Sequence, residues 1–429
     1  MTRVHTSYDS TMKTPTHKHV YIGAFVVAVA VAFGFFVWPT LFAKTYVAST
    51  NEDTLSQVDA NTVSAEDVSA TFSDQSTLTE TEKYPPVVHL PTPEPLYAAY
   101  MTSWVAGTPS LRNNIVNLVD TTSLNAIVID IKDYSGKISY VTNDPLITMY
   151  GSSENRIRDI DAFIEDLHER GIYVIGRVTV FQDPYLAKRH PELAISRISD
   201  GGLWADKNGL NYLYPGNEDV WKYTVAIAKD GYARGFDEIN FDYIRFPSDG
   251  NIKDMAIPDS TLSKSDIVKS FFVYVDQELA GTSIVTSADL FGMTTTNTDD
   301  LGIGQVLEKA LPYFDYVCPM VYPSHYPPGF NGWVNPNANP HDLIKYVMSR
   351  AVTRAEALKV DPSLTESQRA RIDKLQLRPW LQNFSLGQPP YTANEIHAQI
   401  QGTYDAGLTS WLLWDAANKY TYTSSALSL

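Results

Sequence analysis

The sequence predicts an α/β protein: a (β/α)8 TIM barrel, preceded by one N-terminal transmembrane helix and a disordered linker. Three observations carry this reading. Residues 20–38 are uncharged and largely apolar, close to the roughly 20 residues that cross about 30 Å of hydrocarbon as a helix. Residues 39–95 are rich in Ser, Thr, Asp and Glu and end in a proline run, a composition that cannot bury enough surface to fold alone. From residue 96 onward, short apolar runs alternate with amphipathic helix patterns, which implies a parallel sheet.

The order along the chain is therefore 1–19 as a cytoplasmic N-terminus, 20–38 as a transmembrane anchor, 39–95 as linker and 96–429 as barrel. Tyr21 and Trp38 sit at the ends of the apolar run, where amphipathic rings favour the interface. Arg3, Lys13 and Lys18 precede it, and the region after it is acidic apart from Lys44. This bias puts the N-terminus in the cytoplasm and the barrel outside, on a single-pass cell-membrane protein. A cleaved signal peptide is the alternative. Its apolar core would be about 7–15 residues and its cleavage site small-residue, whereas Val47-Ala48-Ser49 matches weakly. An uncleaved signal-anchor fits better. The linker is expected to add no core, so a chain beginning near Leu96 is expected to fold.

Eight strands are expected at 97–102, 126–131, 173–179, 238–244, 284–290, 316–322, 377–382 and 410–415. Helix signals fall between them. Ser110 can cap the first helix, Gly171 can stop the second, and Asn217 precedes Glu218 and Asp219 at the head of the third. Thr392 and Glu395 form a capping box on the seventh. Eight such units in one domain suit a closed barrel. An open, doubly wound sheet would show a Gly-rich phosphate loop after an early strand, and the sequence has none.

The formal net charge of −16 argues against a nucleic-acid partner, which needs a basic footprint. It argues also against an anionic polymer as substrate, unless a local basic patch overrides the average. Cys318 is the single cysteine, and the nine His show no ligand spacing. Neither a disulfide nor a bound transition metal is expected, and no cofactor.

Barrel active sites lie at the C-terminal ends of the strands, so the polar residues there are the candidates. Side chains alternate between the barrel interior and the helix layer. On the fourth strand Ile239, Phe241 and Tyr243 share one face, and the apolar set should meet the helices. Glu238, Asn240 and Asp242 then point inward. On the fifth, Val285, Ser287 and Asp289 share the inner parity; on the second, Asp130 shares it with Val128 and Lys132. Converging carboxylates are costly to bury and need solvent, a cation or a reaction to justify them. Arg177 and Arg245 are their obvious ion-pair partners, and a purely structural role is the competing reading. The third connection, 180–215, is long and aromatic, and is expected to wall or cover a cleft.

Specific blocks carry a resemblance. They are His190-Pro191-Glu192-Leu193, Gly202-Leu203-Trp204, Tyr214-Pro215-Gly216-Asn217, and above all Gly235-Phe236-Asp237-Glu238-Ile239-Asn240-Phe241-Asp242-Tyr243-Ile244-Arg245-Phe246-Pro247. Over 97–420 the chain resembles a bacterial glycoside-hydrolase-like (β/α)8 barrel family, whose members often carry a membrane or secretion segment. More distantly it is similar to retaining glycosidase barrels of the α-amylase and α-galactosidase type. That resemblance implies Asp242 as nucleophile and Asp289 as acid/base, where the amylase type carries Glu. The amylase-type histidine and aspartate of the seventh strand have no counterpart near Trp380-Leu381-Gln382.

The expected function is hydrolysis of a polysaccharide or glycan outside the membrane. Asp130, Arg177, Asn240, Arg245, Tyr322, Gln382 and Asp415 are candidates to contact the carbohydrate, and Trp204, Trp380 and Trp414 to stack on it. A non-catalytic carbohydrate-binding or cell-envelope scaffold on the same barrel is the alternative, since fold does not fix function. A carboxylate-bound metal deacetylase is disfavoured by the lack of His ligands.

Overall fold

A computed structural model describes residues 87–258 and 261–429. Eight strands close a barrel in chain order, each parallel to its neighbours. They are β1 (Tyr97–Met101), β2 (Ala126–Lys132), β3 (Tyr173–Thr179), β4 (Glu238–Asp242), β5 (Val285–Phe291), β6 (Tyr316–Met320), β7 (Trp380–Gln382) and β8 (Trp411–Trp414). Helices alternate with them: α1 (Pro109–Asp120), α2 (Ile160–Glu169), α3 (Glu218–Arg234), α4 (Lys264–Leu279), α5 (Leu307–Ala310), α6 (Pro340–Leu358), α7 (Ala393–Asp405) and α8 (Thr423–Leu427). The anchor expected at 20–38 and most of the linker lie outside the described residues. Among the described residues, no helix is long and apolar enough to cross a membrane.

Local chemistry explains the helix ends. Asn217 accepts from the N–H groups of Asp219 and Val220 at the head of α3. Glu395 accepts from the backbone N–H and the hydroxyl of Thr392 at the head of α7. Gly171, at φ 71°, turns the chain away just beyond α2. At α1 the expected cap is displaced: Thr108 precedes the helix and Pro109 takes its first position, where a missing N–H costs nothing. Ser110 lies inside the first turn.

The period-two pattern sorts the strands into two buried layers. Ile127, Ile129, Val174, Val178, Ile239, Phe241, Leu381 and Leu413 face the helices. Ala98, Ala126, Val128, Ile175, Cys318 and Leu412 fill the barrel. Each large apolar side chain buried in this way contributes about 1.5–3 kcal/mol. One strand departs from the pattern. β2 bulges between Asp130 and Lys132, so that Lys132 pairs with Val178 of the outer face. Lys132 is thereby lost to the inner set; its ammonium instead meets Asp183 at 2.8 Å and the Thr179 carbonyl at 2.7 Å. The bulge also drives Ile131 outward against β3 and α3. A Cβ on Gly176 would stand 2.4 Å from its Cδ1, and one on Gly231 2.7 Å, so a side chain at either position would force Ile131 to shift.

The bottom of the barrel is sealed. Arg378 donates to Glu238 at 2.9 Å, and both are essentially unexposed. The last nine residues read as linker, 87–95, pack beneath them rather than hanging free. The Leu90 N–H donates to Asp237 at 2.7 Å, His89 stacks on Tyr232 at 3.8 Å, and Thr92 shares a 3.0 Å hydrogen bond with Tyr173. Asp237 also accepts from the Val174 N–H at 2.8 Å and bonds His168 at 2.9 Å, so it ties the strap to β3 and α2. A chain beginning at Leu96 should therefore unfold at a lower temperature than one beginning at Val87. Loss of the Leu90 bond to a buried carboxylate alone should cost about 1.5–3 kcal/mol. Calorimetry of the two chains checks this, and equal melting temperatures would mean that the strap adds nothing.

Candidate active site

β4 ends at Asp242, whose side chain follows Glu238 and Asn240 into the barrel. The next residue, Tyr243, sits at φ 54°, a conformation that costs a non-glycine residue of order 1–3 kcal/mol. The turn brings the Tyr243 N–H back onto Asp242 Oδ1 at 2.6 Å. It also swings the Tyr243 ring into the barrel mouth, although strand alternation assigns it to the helix side. The alternation stops because the strand stops.

Arg177, inward on β3, holds Asp242 from the other side. Its Nε and Nη2 donate to Asp242 Oδ2 at 3.1 and 2.5 Å. Its Nη1 donates to Asp130 Oδ1 on β2 at 2.7 Å. The Tyr100 hydroxyl on β1 donates to Asp130 Oδ2 at 2.6 Å. Four adjacent strands thus contribute one connected, buried group. The Tyr100 ring stacks at 4.0 Å on Trp414 of β8, which carries the group round the barrel seam.

Asp289 on β5 is held differently. The β4–β5 register pairs Asn240 with Ser287 and Phe241 with Ala288, so Asp242 comes next in line with Asp289. Neighbouring strands lie about 4.8 Å apart. Asp289 Oδ1 accepts from Asn240 at 2.9 Å and from the Trp380 indole at 2.7 Å. Burial pushes its carboxyl well above the usual carboxylate range, and the adjacent Asp242 charge pushes it further. The Asn240 bond, the Arg177 charge and the Trp380 bond oppose this without cancelling it. One carboxyl is thus provided with cationic and N–H donors, while its neighbour is driven toward the protonated form.

Both open into a cavity of about 390 Å³ at the barrel mouth. Its floor is Arg177, Asp242 and Asp289; Tyr243, Arg245, Tyr322 and Trp414 rise from it. Arg245 lies between the Tyr243 and Phe291 rings, at 4.9 and 4.6 Å from their centroids. Such ring contacts contribute about 0.5–2 kcal/mol each, less than the several kcal/mol needed to take an ion out of water. The remaining wall follows β5 and β6: Phe291, Gly292, Met293, Met320, His325 and Tyr326. Gly292 lets this wall close, since a Cβ there would meet the Met320 carbonyl oxygen at 2.4 Å.

Six of the residues expected from sequence meet here: Asp242, Asp289, Arg177, Arg245, Tyr322 and Trp414. The others are placed elsewhere. Asp130, Asn240 and Trp380 lie beneath the cavity and are bonded to Arg177 or Asp289; Trp380 is wholly buried and has no face for a sugar. Gln382 is also buried, accepting from the Ser324 N–H at 3.1 Å and donating to the Phe384 carbonyl at 2.9 Å, so it braces loops. Asp415 accepts from the Ala417 N–H at 2.9 Å and shapes the turn after β8. Trp204 is 1 % exposed, donates to the Asn251 carbonyl and packs against Tyr212, away from the cavity. The 180–215 connection that contains it is a packed platform, cross-bridged at Ala194–Leu213, Ser196–Leu203 and Ala205–Asn211, and contributes nothing to the cavity wall. Tyr100 was readable from its parity with Ala98. The wall after β5 and β6 carried no sequence signal. Among the described residues, no group of three or more His, Cys, Asp or Glu is arranged to hold a metal ion.

The raised Asp289 carboxyl has a consequence for stability. A group whose folded-state pKa is raised stabilises most below its unfolded value, about 3.9, and that contribution is lost as pH rises through the folded value. Asp289→Asn should therefore raise the melting temperature at pH 7, with the gain shrinking toward pH 4. A variant less stable than the parent at pH 7 would contradict this.

A family model described as "Putative glycosyl hydrolase domain" matches residues 98–420. No curated protein matches the chain. Among solved structures, a hypothetical protein from Ruminiclostridium thermocellum ATCC 27405 is 36% identical, covering 48% of this chain and 98% of its own, with a TM-score of 0.42. The PgaB (BpsB) glycoside hydrolase domain from Bordetella bronchiseptica is 12% identical, covering 78% of this chain and 97% of its own, with a TM-score of 0.55. At that identity the likeness concerns the barrel fold alone. The family match spans well over half of the sequence, and the chain belongs to this family of glycosyl hydrolase domains.

Proposed function

We propose that the barrel is a glycoside hydrolase that cleaves a polysaccharide or glycan by a two-carboxylate retaining mechanism. The observation that carries this is the Asp242–Asp289 pair, adjacent in register and set in opposite environments. Environments that push two neighbouring carboxyls apart assign an acid and a base. Asp242, fixed by Arg177 and the Tyr243 N–H, attacks the anomeric carbon. Asp289 gives its proton to the departing glycosidic oxygen. Water then enters, loses a proton to Asp289, and releases the sugar from Asp242. The adjacent-strand spacing favours the short carboxyl separation of retaining enzymes, about 5–5.5 Å, over the wider one of inverting enzymes. Asp130 acts through Arg177, and Asn240 and Trp380 act on Asp289, as positioning residues. Tyr322 and Trp414 offer ring faces to the sugar. In this reading residues 20–38 anchor the chain in the cell membrane, with the barrel on the outer side.

Asp242→Asn should lower turnover by several orders of magnitude on a substrate found in a polysaccharide screen, with folding intact. Near-normal turnover in that variant would remove the mechanism. Asp289→Asn should slow glycosides with poor leaving groups by about 10²–10⁴-fold and spare the first step for good leaving groups. NMR of the initial product should show retained anomeric configuration; inversion would leave Asp242 as a base rather than a nucleophile. Glycan binding by the parent protein with no turnover of any glycan in the screen would give the barrel to a binding role.

A further inference from the structure

Arg245 differs from the other buried cations of the described residues in its partners. Lys132, Arg177, Arg234 and Arg378 each meet a carboxylate within 3.0 Å. Arg245 is 6 % exposed, yet it forms no ion pair among the described residues. Its one hydrogen bond runs from Nη1 to the Phe246 carbonyl at 3.0 Å. A guanidinium carries five N–H donors. The rings of Tyr243 and Phe291 fix its plane without neutralising it. A buried charge without a counter-ion is costly, and this one faces the cavity that holds Asp242 and Asp289.

We propose that Arg245 recognises a single negative charge on the glycan, so that the substrate is an acidic sugar: a uronate, or a ring bearing a sulfate ester. The inference rests on the hydrolase reading of this cavity and adds the substrate class. Three features support it. The planar fork of arginine matches the oxygens of such a group, which can take two parallel hydrogen bonds. One unpaired cation offsets one charge; a doubly charged phosphate monoester beside Asp242 would leave a repulsion uncompensated. Arg245 lies three residues beyond Asp242, and the intervening Tyr243 both donates to Asp242 and packs on the guanidinium. The charged group therefore belongs to a ring at or next to the bond that breaks. The overall charge of −16 opposes an acidic polymer at long range. Screening over about 8 Å at physiological ionic strength leaves the local guanidinium dominant inside the cavity.

The test is titration calorimetry of the full-length protein. The probes are short oligosaccharides of galacturonic and glucuronic acid, their carboxyl-reduced neutral forms, and a sulfated oligosaccharide. At least one charged probe should bind tenfold or more tighter than the neutral forms, and the class that does so identifies the anion. Arg245→Gln should weaken the charged probe at least tenfold more than the neutral forms, and Arg245→Lys should keep part of the preference. Equal binding of charged and neutral probes, no binding of any charged probe, or equal weakening of both by Arg245→Gln would each overturn the proposal. Charged-probe binding that depends on Arg245, without cleavage of any probe, would leave the anion site standing but remove its role in choosing a substrate. Cleavage confined to neutral glycans would overturn this proposal and leave the hydrolase reading standing.

Discussion

The candidate site depends on one guanidinium. Arg177 bridges Asp130 on β2 and Asp242 on β4 from a position between them on β3. Without it, two carboxyl groups would share a nearly dry barrel mouth, and an uncompensated buried charge of that kind costs about 3–5 kcal/mol or more. With it, Asp242 keeps a fixed orientation, and its charge becomes a local field that acts on Asp289. That field joins burial in raising the Asp289 carboxyl. A pair of identical side chains thus becomes an unequal pair through the burial of Asp289 and the placement of the arginine on Asp242.

The two ends of the barrel use buried charge differently. At the bottom, Glu238 and Arg378 pair under a lid formed by the 87–95 strap. Pairs of this kind are poor evidence for stability, because desolvation offsets their attraction. They do exclude apolar alternatives and fix which strand faces which. At the mouth the same inward parity continues through Asn240 to Asp242, but the helices and loops leave about 390 Å³ open. This open end is the face on which such barrels place their chemistry.

The loops divide their work in a way that residue type alone would not suggest. The connection richest in aromatics, 180–215, buries three of its rings, Phe181, Trp204 and Tyr212, and becomes scaffold, while Tyr185 and Tyr214 stay half-buried. Burying these rings gains apolar area, and the polar tips of Trp204 and Tyr212 keep partners in the Asn251 carbonyl and Gln182. The cavity wall comes instead from shorter stretches after β5 and β6, where glycine at position 292 permits close backbone approach.

The barrel itself was legible because its code is local. Apolar runs of strand length alternating with helical patterns specify parallel packing, and side-chain alternation assigns Asp130, Asp242 and Asp289 to the inner face. The same rule failed at Lys132 and Tyr243, where a bulge and a left-handed turn break the period. It also could not separate residues that touch the cavity from those one layer below. Asp130, Asn240 and Trp380 look like contact residues in the sequence, yet they serve Arg177 and Asp289. Sequence alone therefore determined the strand order, the inner face and the carboxyl pair, because these follow from spacing along one chain. Tertiary structure alone decided which carboxyl receives the arginine, which tryptophan stays open and which arginine is left without a partner. Those outcomes depend on distances between strands and on the dryness of the space they enclose, and neither is written in local order.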